Sequence, residues 1–197
     1  SLLKIKTSLQ AALENHRKAF MGELHGELSS LMSEFVFSPV AVELHDNFEF
    51  NLLLPDGKTP FGEAGGQTKA KAIAMVMALY RIASRKAKEG LALDSEAPAE
   101  FPLLIDSAFG ELGGELRRRV GVELSKSGAQ CVLLVSDTQA PGLIDGLNKE
   151  SIGSTLLLHT FVTGPGHDVV TPQIEGKQVT WATFNSPIIK TEVEVLS

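Results

Sequence analysis

At residues 101–137 the chain reads FPLLIDSAFGELGGELRRRVGVELSKSGAQCVLLVSD, and this stretch decides the fold class. FPLLID is a short apolar run that ends in a carboxylate, and QCVLLVSD is a second run of the same kind, as is typical of buried strands in a parallel sheet. Between them, Leu112, Leu116, Val120 and Leu124 recur every four residues and predict a helix. Strand, helix and strand within about 36 residues match a βαβ unit. The predicted fold is therefore α/β: a mostly parallel sheet flanked by helices, with a protruding N-terminal helix.

The first thirty-odd residues predict one long helix. Its apolar residues recur at three-, four- and seven-residue steps: Leu2, Ile5, Leu9, Leu13, Phe20, Leu24, Leu28 and Leu31. Because no capping residue precedes this pattern, we expect a helix cut inside a longer coiled-coil arm. An ordinary amphipathic N-terminal helix fits the periodicity nearly as well. We expect two parts, an arm helix at 1–35 and a lobe at 36–197.

The segments on either side of the βαβ unit have simpler patterns. Apolar residues alternate from Val40 to Leu54 and predict a β-hairpin. A glycine-rich loop, FGEAGGQ, then opens a helix predicted from about Gln67 to Glu89. The C-terminal part predicts an antiparallel extension, with a short helix near 140–149 followed by strands near 154–163, 177–184 and 187–195.

Composition excludes several classes of protein. The 197 residues are 43% hydrophobic and 21% charged, which is too apolar for a disordered chain. The sequence contains no run of about 18 apolar residues, so no membrane span is predicted. The net charge of −6 disfavours a uniformly basic coat for nucleic acid, although a local patch stays possible. The single cysteine, Cys131, excludes a disulfide framework and fits a reducing, cytoplasmic compartment.

A short match to a phosphate-binding loop lacks part of the motif. Gly57-Lys58-Thr59 ends like the motif GxxxxGK[ST], but the first glycine would have to stand at Leu52. Pro60 would also block the helix that must follow. We interpret this segment as a hairpin turn, and the sequence contains no other P-loop.

The stronger signal is a set of segments in a fixed order. EAGGQ at 63–67 precedes the long helix, FPLLID ends in Asp106, FGELGGELRRR follows, and a second apolar strand leads into Ser136-Asp137. Each segment alone is common, and a strand-end Asp or a glycine turn before a helix often has only a structural role. In combination they resemble the C-terminal lobe of the ABC-type ATPase heads in the coiled-coil chromosome and DNA-repair ATPases, the SMC-like group. The segments PLLIDSAFGEL and QCVLLVSDT are most similar to those of the DNA sulfur-modification ATPases of DndD type.

This resemblance implies a set of site residues. The signature loop that caps ATP on a partner head would comprise Glu63, Ala64, Gly65, Gly66 and Gln67. Gly65 and Gly66 would allow backbone N–H groups close to the γ-phosphate. Asp106 would hold Mg²⁺, with Ser107 beside it in the catalytic position, Gly113 in the D-loop and Asp137 in the switch loop. The implied cofactors are ATP and Mg²⁺. The implied partners are a P-loop N-terminal lobe, a second head in a homodimer, and DNA.

Four departures from the family pattern put hydrolysis in doubt. Ala64 replaces the signature serine, Ser107 replaces a catalytic Glu, Gly113 replaces the D-loop Asp, and Ser136-Asp137 replaces the switch histidine. Ser107 does fit the DndD-type members. A hydroxyl is nevertheless a poor general base. Two rival interpretations therefore stay open: a non-catalytic scaffold lobe with a degenerate nucleotide site, and an unrelated α/β binding domain.

Two basic stretches have alternative interpretations. The long helix carries a run of cations, namely Lys69, Lys71, Arg81, Arg85, Lys86 and Lys88. They form either a solvated face or a track for the phosphates of DNA. The same choice applies to Arg117, Arg118 and Arg119, which cannot share one helix face, so that at least one should meet a carboxylate such as Glu115.

Overall fold

The computed structural model describes residues 2–62, 65–89, 102–128, 130–136, 138–148, 150, 152–161, 163–170 and 180–195. Three of the residues singled out above, Glu63, Ala64 and Asp137, lie outside these ranges. The elements in chain order are α1 (Leu2–Phe35), β1 (Ala41–Leu44), β2 (Phe50–Leu53), α2 (Gly65–Lys88), β3 (Leu103–Asp106), α3 (Gly114–Lys126), β4 (Cys131–Leu134), α4 (Ala140–Gly146), β5 (Leu156–Phe161), β6 (Val169–Val170), β7 (Thr180–Thr183) and β8 (Lys190–Val195).

Helix α1 has two halves with different surroundings. Residues 4–19 are all exposed, so the N-terminal half extends away from the described core. The C-terminal half buries Leu24, Leu28, Leu31 and Phe35 completely, at the three- and four-residue steps that align side chains on one face. This half packs against α2 and β1.

The core is assembled from α1, the hairpin, α2 and the βαβ unit. β1 and β2 pair antiparallel, with Val42 opposite Leu52, and both side chains are buried. α2 contributes three small buried residues, Ala70, Ala74 and Ala78, which allow neighbouring elements to approach closely. β3, α3 and the loop between them add further buried side chains: Ile105, Phe109, Leu112, Val120 and Leu124.

β3 and β4 form the predicted parallel pair, with α3 as the crossover. Leu103 lies opposite Cys131, and Asp106 lies opposite Leu134. α3 then packs on α4 through glycines. A Cβ at Gly146 would come within 1.9 Å of the Arg118 carbonyl oxygen, and one at Gly121 within 2.5 Å of the Leu143 oxygen. Only glycine can be accommodated at such close backbone contacts. These contacts hold the segment after β4 against α3.

The sheets of the described residues are smaller than the sequence predicted. β3 and β4 form a two-stranded parallel sheet, whereas the C-terminal strands form a separate four-stranded sheet in the order β6-β7-β5-β8. In it β5 pairs parallel with β7 and antiparallel with β8. The described residues therefore show helices together with small sheets, and no large parallel sheet occurs among them. The predicted strands and helices were local patterns, but the pairing of strands depends on contacts distant in sequence.

The described helices include none that is long and apolar enough to cross a membrane.

Candidate functional site

Asp106 and Ser107 lie at the carboxyl end of β3. Both residues are exposed, and the Ser107 hydroxyl donates to Asp106 Oδ1 at 3.0 Å. The backbone N–H of Ser107 donates to the Leu134 carbonyl oxygen at 2.9 Å, which extends the ladder to β4 by one bond. Ser107 has φ of +50°, a conformation that is uncommon outside glycine. The chain therefore turns sharply after the carboxylate, which leaves Asp106 at the rim of the sheet.

The loop at 107–113 lies against the start of α2. A Cβ at Gly66 would come within 2.9 Å of the Glu111 carbonyl oxygen, and one at Gly65 within 3.6 Å of Glu111 Oε2. The glycine pair thus allows the first turn of α2 to contact the segment that begins at Asp106. Helix N-termini carry unpaired N–H groups and a partial positive charge. The N-terminus of α2 is therefore in contact with the loop that follows Asp106.

Buried side chains hold this loop in place. Phe109 and Leu112 are fully buried, and the Leu112 N–H donates to the Phe109 carbonyl oxygen at 3.1 Å. Arg117 Nε donates to the Leu112 carbonyl oxygen at 2.8 Å, and its guanidinium also donates to the Thr138 carbonyl oxygen. Arg117 therefore ties the loop after β3 to the segment after β4.

The segment after β4 approaches the same loop through Gln139. A Cβ at Gly110 would lie 3.2 Å from Gln139 Nε2. The Gln139 Oε1 atom is buried and has no hydrogen-bond partner within the described residues. The Ser136 and Thr138 hydroxyls are bonded to each other at 3.0 Å. Of the predicted switch segment, Ser136 is described, whereas Asp137 lies outside the described residues.

Gly113 and Gln67 occupy ordinary helix-start positions. Gly113 is the N-cap of α3, with extended backbone and no side chain to cap the first turn. A Cβ there would meet nothing within 4 Å. Gln67 is the third residue of α2 and is partly buried. Neither position is strained, so the geometry leaves the D-loop and signature roles of these two residues as predictions.

Two residues of this rim escaped the sequence-based prediction. Glu111 brings a carboxylate beside Gly65, and Arg117 joins two loops. Arg117 was singled out only as one of three consecutive arginines. No periodicity or spacing distinguishes Glu111 from a solvated loop carboxylate, because its neighbourhood is created by the packing of α2 against the loop.

The donor set fits Mg²⁺ only as part of a shared site. Asp106 is a solvent-exposed carboxylate with one hydroxyl beside it, and no group of three or more potential ligands from His, Cys, Asp and Glu occurs among the described residues. Mg²⁺ is commonly held by one or two carboxylates together with phosphate oxygens and waters. Asp106 is suited to that kind of ligation, with the remaining ligands supplied by the nucleotide.

Three basic side chains of α2, those of Arg81, Arg85 and Lys86, contact carboxylates of α1 and α3. Arg81 lies 3.0 Å from Glu123, and Arg85 lies 2.9 Å from Glu27. The other contacts are Arg85 and Lys86 to Glu23, at 3.7 and 3.1 Å, and Lys71 over the Phe50 ring at 5.1 Å. Arg81, Arg85 and Lys86 therefore bridge helices. The two interpretations of this helix, a solvated face and a track for the phosphates of DNA, stay predictions.

The three arginines of α3 do not all make the same contacts, as expected for consecutive residues of a helix. Arg118 and Arg119 both contact the Glu115 carboxylate, at 2.6 and 3.3 Å. The hydrogen bond from Arg118 is the main cause that lowers the pKa of Glu115 to about 2. Arg119 additionally lies over the Phe37 ring at 4.2 Å. The sequence-based expectation that one of these arginines meets Glu115 is confirmed.

Comparison with known proteins gives matches among solved structures. No family model and no curated protein matches this chain. A solved structure from work on ATP-driven dimerization and DNA-stimulated activation of SMC ATPases is similar over 92% of this chain and 89% of its own. The sequence identity is 14% and the TM-score is 0.49.

Proposed function

We propose that this chain is the C-terminal lobe of an SMC-like ATPase head. Its role is to supply a glycine lid at the start of α2 and the Asp106 carboxylate to nucleotide sites that a P-loop lobe completes. The P-loop lobe comes from another part of the same polypeptide or from another chain. ATP and Mg²⁺ are the cofactors of the assembled head.

One observation carries this proposal. The start of α2 contacts the loop that begins at Asp106, with only 2.9 Å between a Cβ at Gly66 and the Glu111 carbonyl oxygen. A glycine lid and a metal-binding carboxylate can act on the nucleotides of one dimer only if they share a rim. The carboxyl end of a parallel strand pair is also where open α/β sheets bind ligands.

The open face of the β3–β4 pair supports a missing second lobe. Leu104, Val132 and Leu134 share that face by register and are 64%, 48% and 41% exposed. Parallel sheets are almost always covered on both faces, because their strands carry apolar side chains on both. A lobe that packs here would cover the sheet face next to Asp106, which is where a P-loop is needed.

The exposed half of α1 supports a coiled-coil arm, as in the SMC-like group. Ile5, Leu9 and Leu13 follow a helical spacing and are at least 58% exposed. A second helix packed along them would bury an otherwise solvated stripe. On this proposal the head acts on DNA in modification, repair or defence as a homodimer, in a cytoplasmic compartment.

A second candidate function is a nucleotide-holding scaffold with little or no turnover. Ser107 supplies a neutral hydroxyl where a general base is expected, and that hydroxyl is already bonded to Asp106. The Glu111 carboxylate beside Gly65 also opposes the approach of a triphosphate. These observations favour reduced hydrolysis, but they leave the arrangement of the glycine lid and Asp106 unchanged.

The deciding experiment measures ATP turnover and nucleotide-dependent association of the assembled head, formed with its P-loop lobe. Asp106→Asn should reduce turnover by about a hundredfold or more, since metal-assisted charge stabilisation is lost. Asp145→Asn is the matched control, because Asp145 is an exposed carboxylate on α4. Turnover that survives Asp106→Asn would overturn the ATPase proposal. ATP-dependent association without turnover in the unaltered head would support the scaffold.

A further inference from the structure

The partly buried side chain of Arg117 joins the two loops that follow the parallel strands. Its Nε donates to the Leu112 carbonyl oxygen at 2.8 Å, and its Nη1 donates to the Thr138 carbonyl oxygen. Leu112 belongs to the loop after β3, whereas Thr138 belongs to the segment after β4. Because the guanidinium is planar and presents its donors as a rigid fork, one side chain sets the separation of the two loops.

The loop after β3 determines the surroundings of the Asp106 carboxylate. Ser107 is the first residue of this loop, and its hydroxyl donates to Asp106 Oδ1 at 3.0 Å. The Ser107 N–H donates to the Leu134 carbonyl oxygen of β4 at 2.9 Å. The two loops are therefore joined beside the strands by a backbone bond and farther along by Arg117. A shift of the loop relative to the segment after β4 would disturb the hydroxyl that is bonded to Asp106.

The two arginines that follow Arg117 in α3 make contacts of another kind. Arg118 and Arg119 lie 2.6 and 3.3 Å from the Glu115 carboxylate on their own helix. Contacts of this type between exposed side chains contribute little to stability, and they join no loops. Of the three arginines, it is Arg117 that donates to carbonyl oxygens in both loops.

We propose that Arg117 is a positioning residue for the nucleotide site of the assembled head. It acts through Asp106, because it fixes the loop after β3 relative to the segment after β4. This inference rests on the proposed function, in which Asp106 ligates Mg²⁺ on a nucleotide. A displacement of about 1 Å can slow a reaction by about a hundredfold. Loss of the fork should therefore slow turnover more than it weakens nucleotide binding, which the P-loop lobe provides.

Two substitutions separate the fork of Arg117 from its charge. Arg117→Lys keeps the positive charge but replaces the planar fork with a single ammonium group. Arg117→Gln removes the charge and shortens the reach of the donor. Arg118→Lys is the matched control, because it makes the same chemical change at the next residue of α3. A lysine there can keep the contact with Glu115, which lies three residues earlier on the helix.

The first measurement is ATP turnover by the assembled head as a function of ATP and of Mg²⁺ concentration. Both Arg117 variants should lower kcat about tenfold or more and leave KM for ATP within about twofold of the unaltered value. They should also raise the Mg²⁺ concentration that gives half-maximal turnover about threefold or more, since Asp106 is the proposed ligand. Arg118→Lys should match the unaltered head in all three quantities. A purely structural role would lower the amount of folded protein and leave the Mg²⁺ dependence unchanged.

The second measurement is amide hydrogen exchange of the full chain without nucleotide. Both Arg117 variants should speed exchange in segments 107–113 and 138–140 together and leave 120–126 of α3 unchanged. Faster exchange in only one of the two loops, or throughout α3, would overturn the inference. So would an Arg117→Lys head whose kcat and Mg²⁺ dependence equal those of the unaltered head. An unaltered head without turnover would contradict the proposed ATPase instead, and the exchange measurement would then decide alone whether Arg117 couples the two loops.

Discussion

The backbone carbonyl of Glu111, in the loop after β3, lies against Gly66 at the start of α2. The 2.9 Å between the Cβ position of Gly66 and the Glu111 carbonyl oxygen is shorter than carbon–oxygen contacts in folded proteins allow, and the oxygen belongs to the backbone. Gly65 differs, because its nearest neighbour is the end of a flexible side chain at 3.6 Å. Close contact with a backbone oxygen therefore requires glycine at position 66, whereas the space at position 65 would accept a Cβ.

We predict that Gly66→Ala lowers the free energy of unfolding by about 1–2 kcal/mol, because the loop or the helix must shift. Gly65→Ala is the matched control and should be neutral or stabilising by up to about 1 kcal/mol, since alanine is the better helix former. Urea unfolding of the two variants measures the difference. Equal stabilities would mean that the loop does not stay packed against α2 in solution.

At the scale of secondary-structure elements, a network of ion pairs joins three helices. Glu123 of α3 is only 5% exposed and accepts bonds from Arg81 of α2, at 3.0 Å, and from Lys126, at 2.7 Å. Arg81 also lies 3.8 Å from Glu27 of α1. Burial disfavours the charged form of Glu123, but the bonds from Lys126 and Arg81 outweigh it, so the pKa of Glu123 is lowered. The carboxylate form is therefore the one that stabilises the fold.

We predict that Glu123→Gln lowers the free energy of unfolding by about 2–3 kcal/mol at neutral pH, since it weakens charge-assisted bonds in a buried position. Because the lowered pKa belongs to the folded state, this stabilisation is complete above the unfolded pKa of about 4.3 and is lost as the pH falls through the folded value. The difference between variant and unaltered chain should therefore shrink below about pH 4. Glu14→Gln, at an exposed position on α1, is the control. A difference that is independent of pH would show that shape, rather than charge, matters at position 123.

At the scale of the whole molecule, the described chain has more apolar sheet surface than it covers. The β3–β4 pair and the β5–β8 pair each present an aliphatic face to solvent. Contiguous exposed apolar patches in folded proteins mark interaction surfaces. A P-loop lobe is the proposed partner of the first face.

We predict that Leu104→Lys changes the free energy of unfolding of the isolated chain by less than about 0.5 kcal/mol, because the side chain is already 64% exposed. In the assembled head the same variant should abolish ATP turnover, because a lysine would be buried in the contact with the P-loop lobe. Val76→Lys, at an exposed apolar position on α2, is the control and should affect neither measurement. Full turnover with Leu104→Lys would mean that the second lobe packs elsewhere.

The sequence was sufficient for features that depend on near neighbours. The hairpin, the long helix that begins at the glycine pair and the βαβ unit whose first strand ends at Asp106 were predicted from periodicity, because burial on one side of a helix or strand imposes a fixed spacing on apolar residues. The meeting of Glu115 with the arginines of α3 was also predictable, since three and four residues separate them along one helix.

The features that join distant segments depend on tertiary packing. Nothing local in the sequence indicates that Arg81 would contact Glu123, that Glu111 would lie beside Gly65, or that β5 would pair with both β7 and β8. Such contacts are selected by the packing of complete elements, whose relative positions depend on the core as a whole. Residue identity determined which helices and strands form, whereas packing determined which charges are neutralised and which apolar faces stay open to a partner.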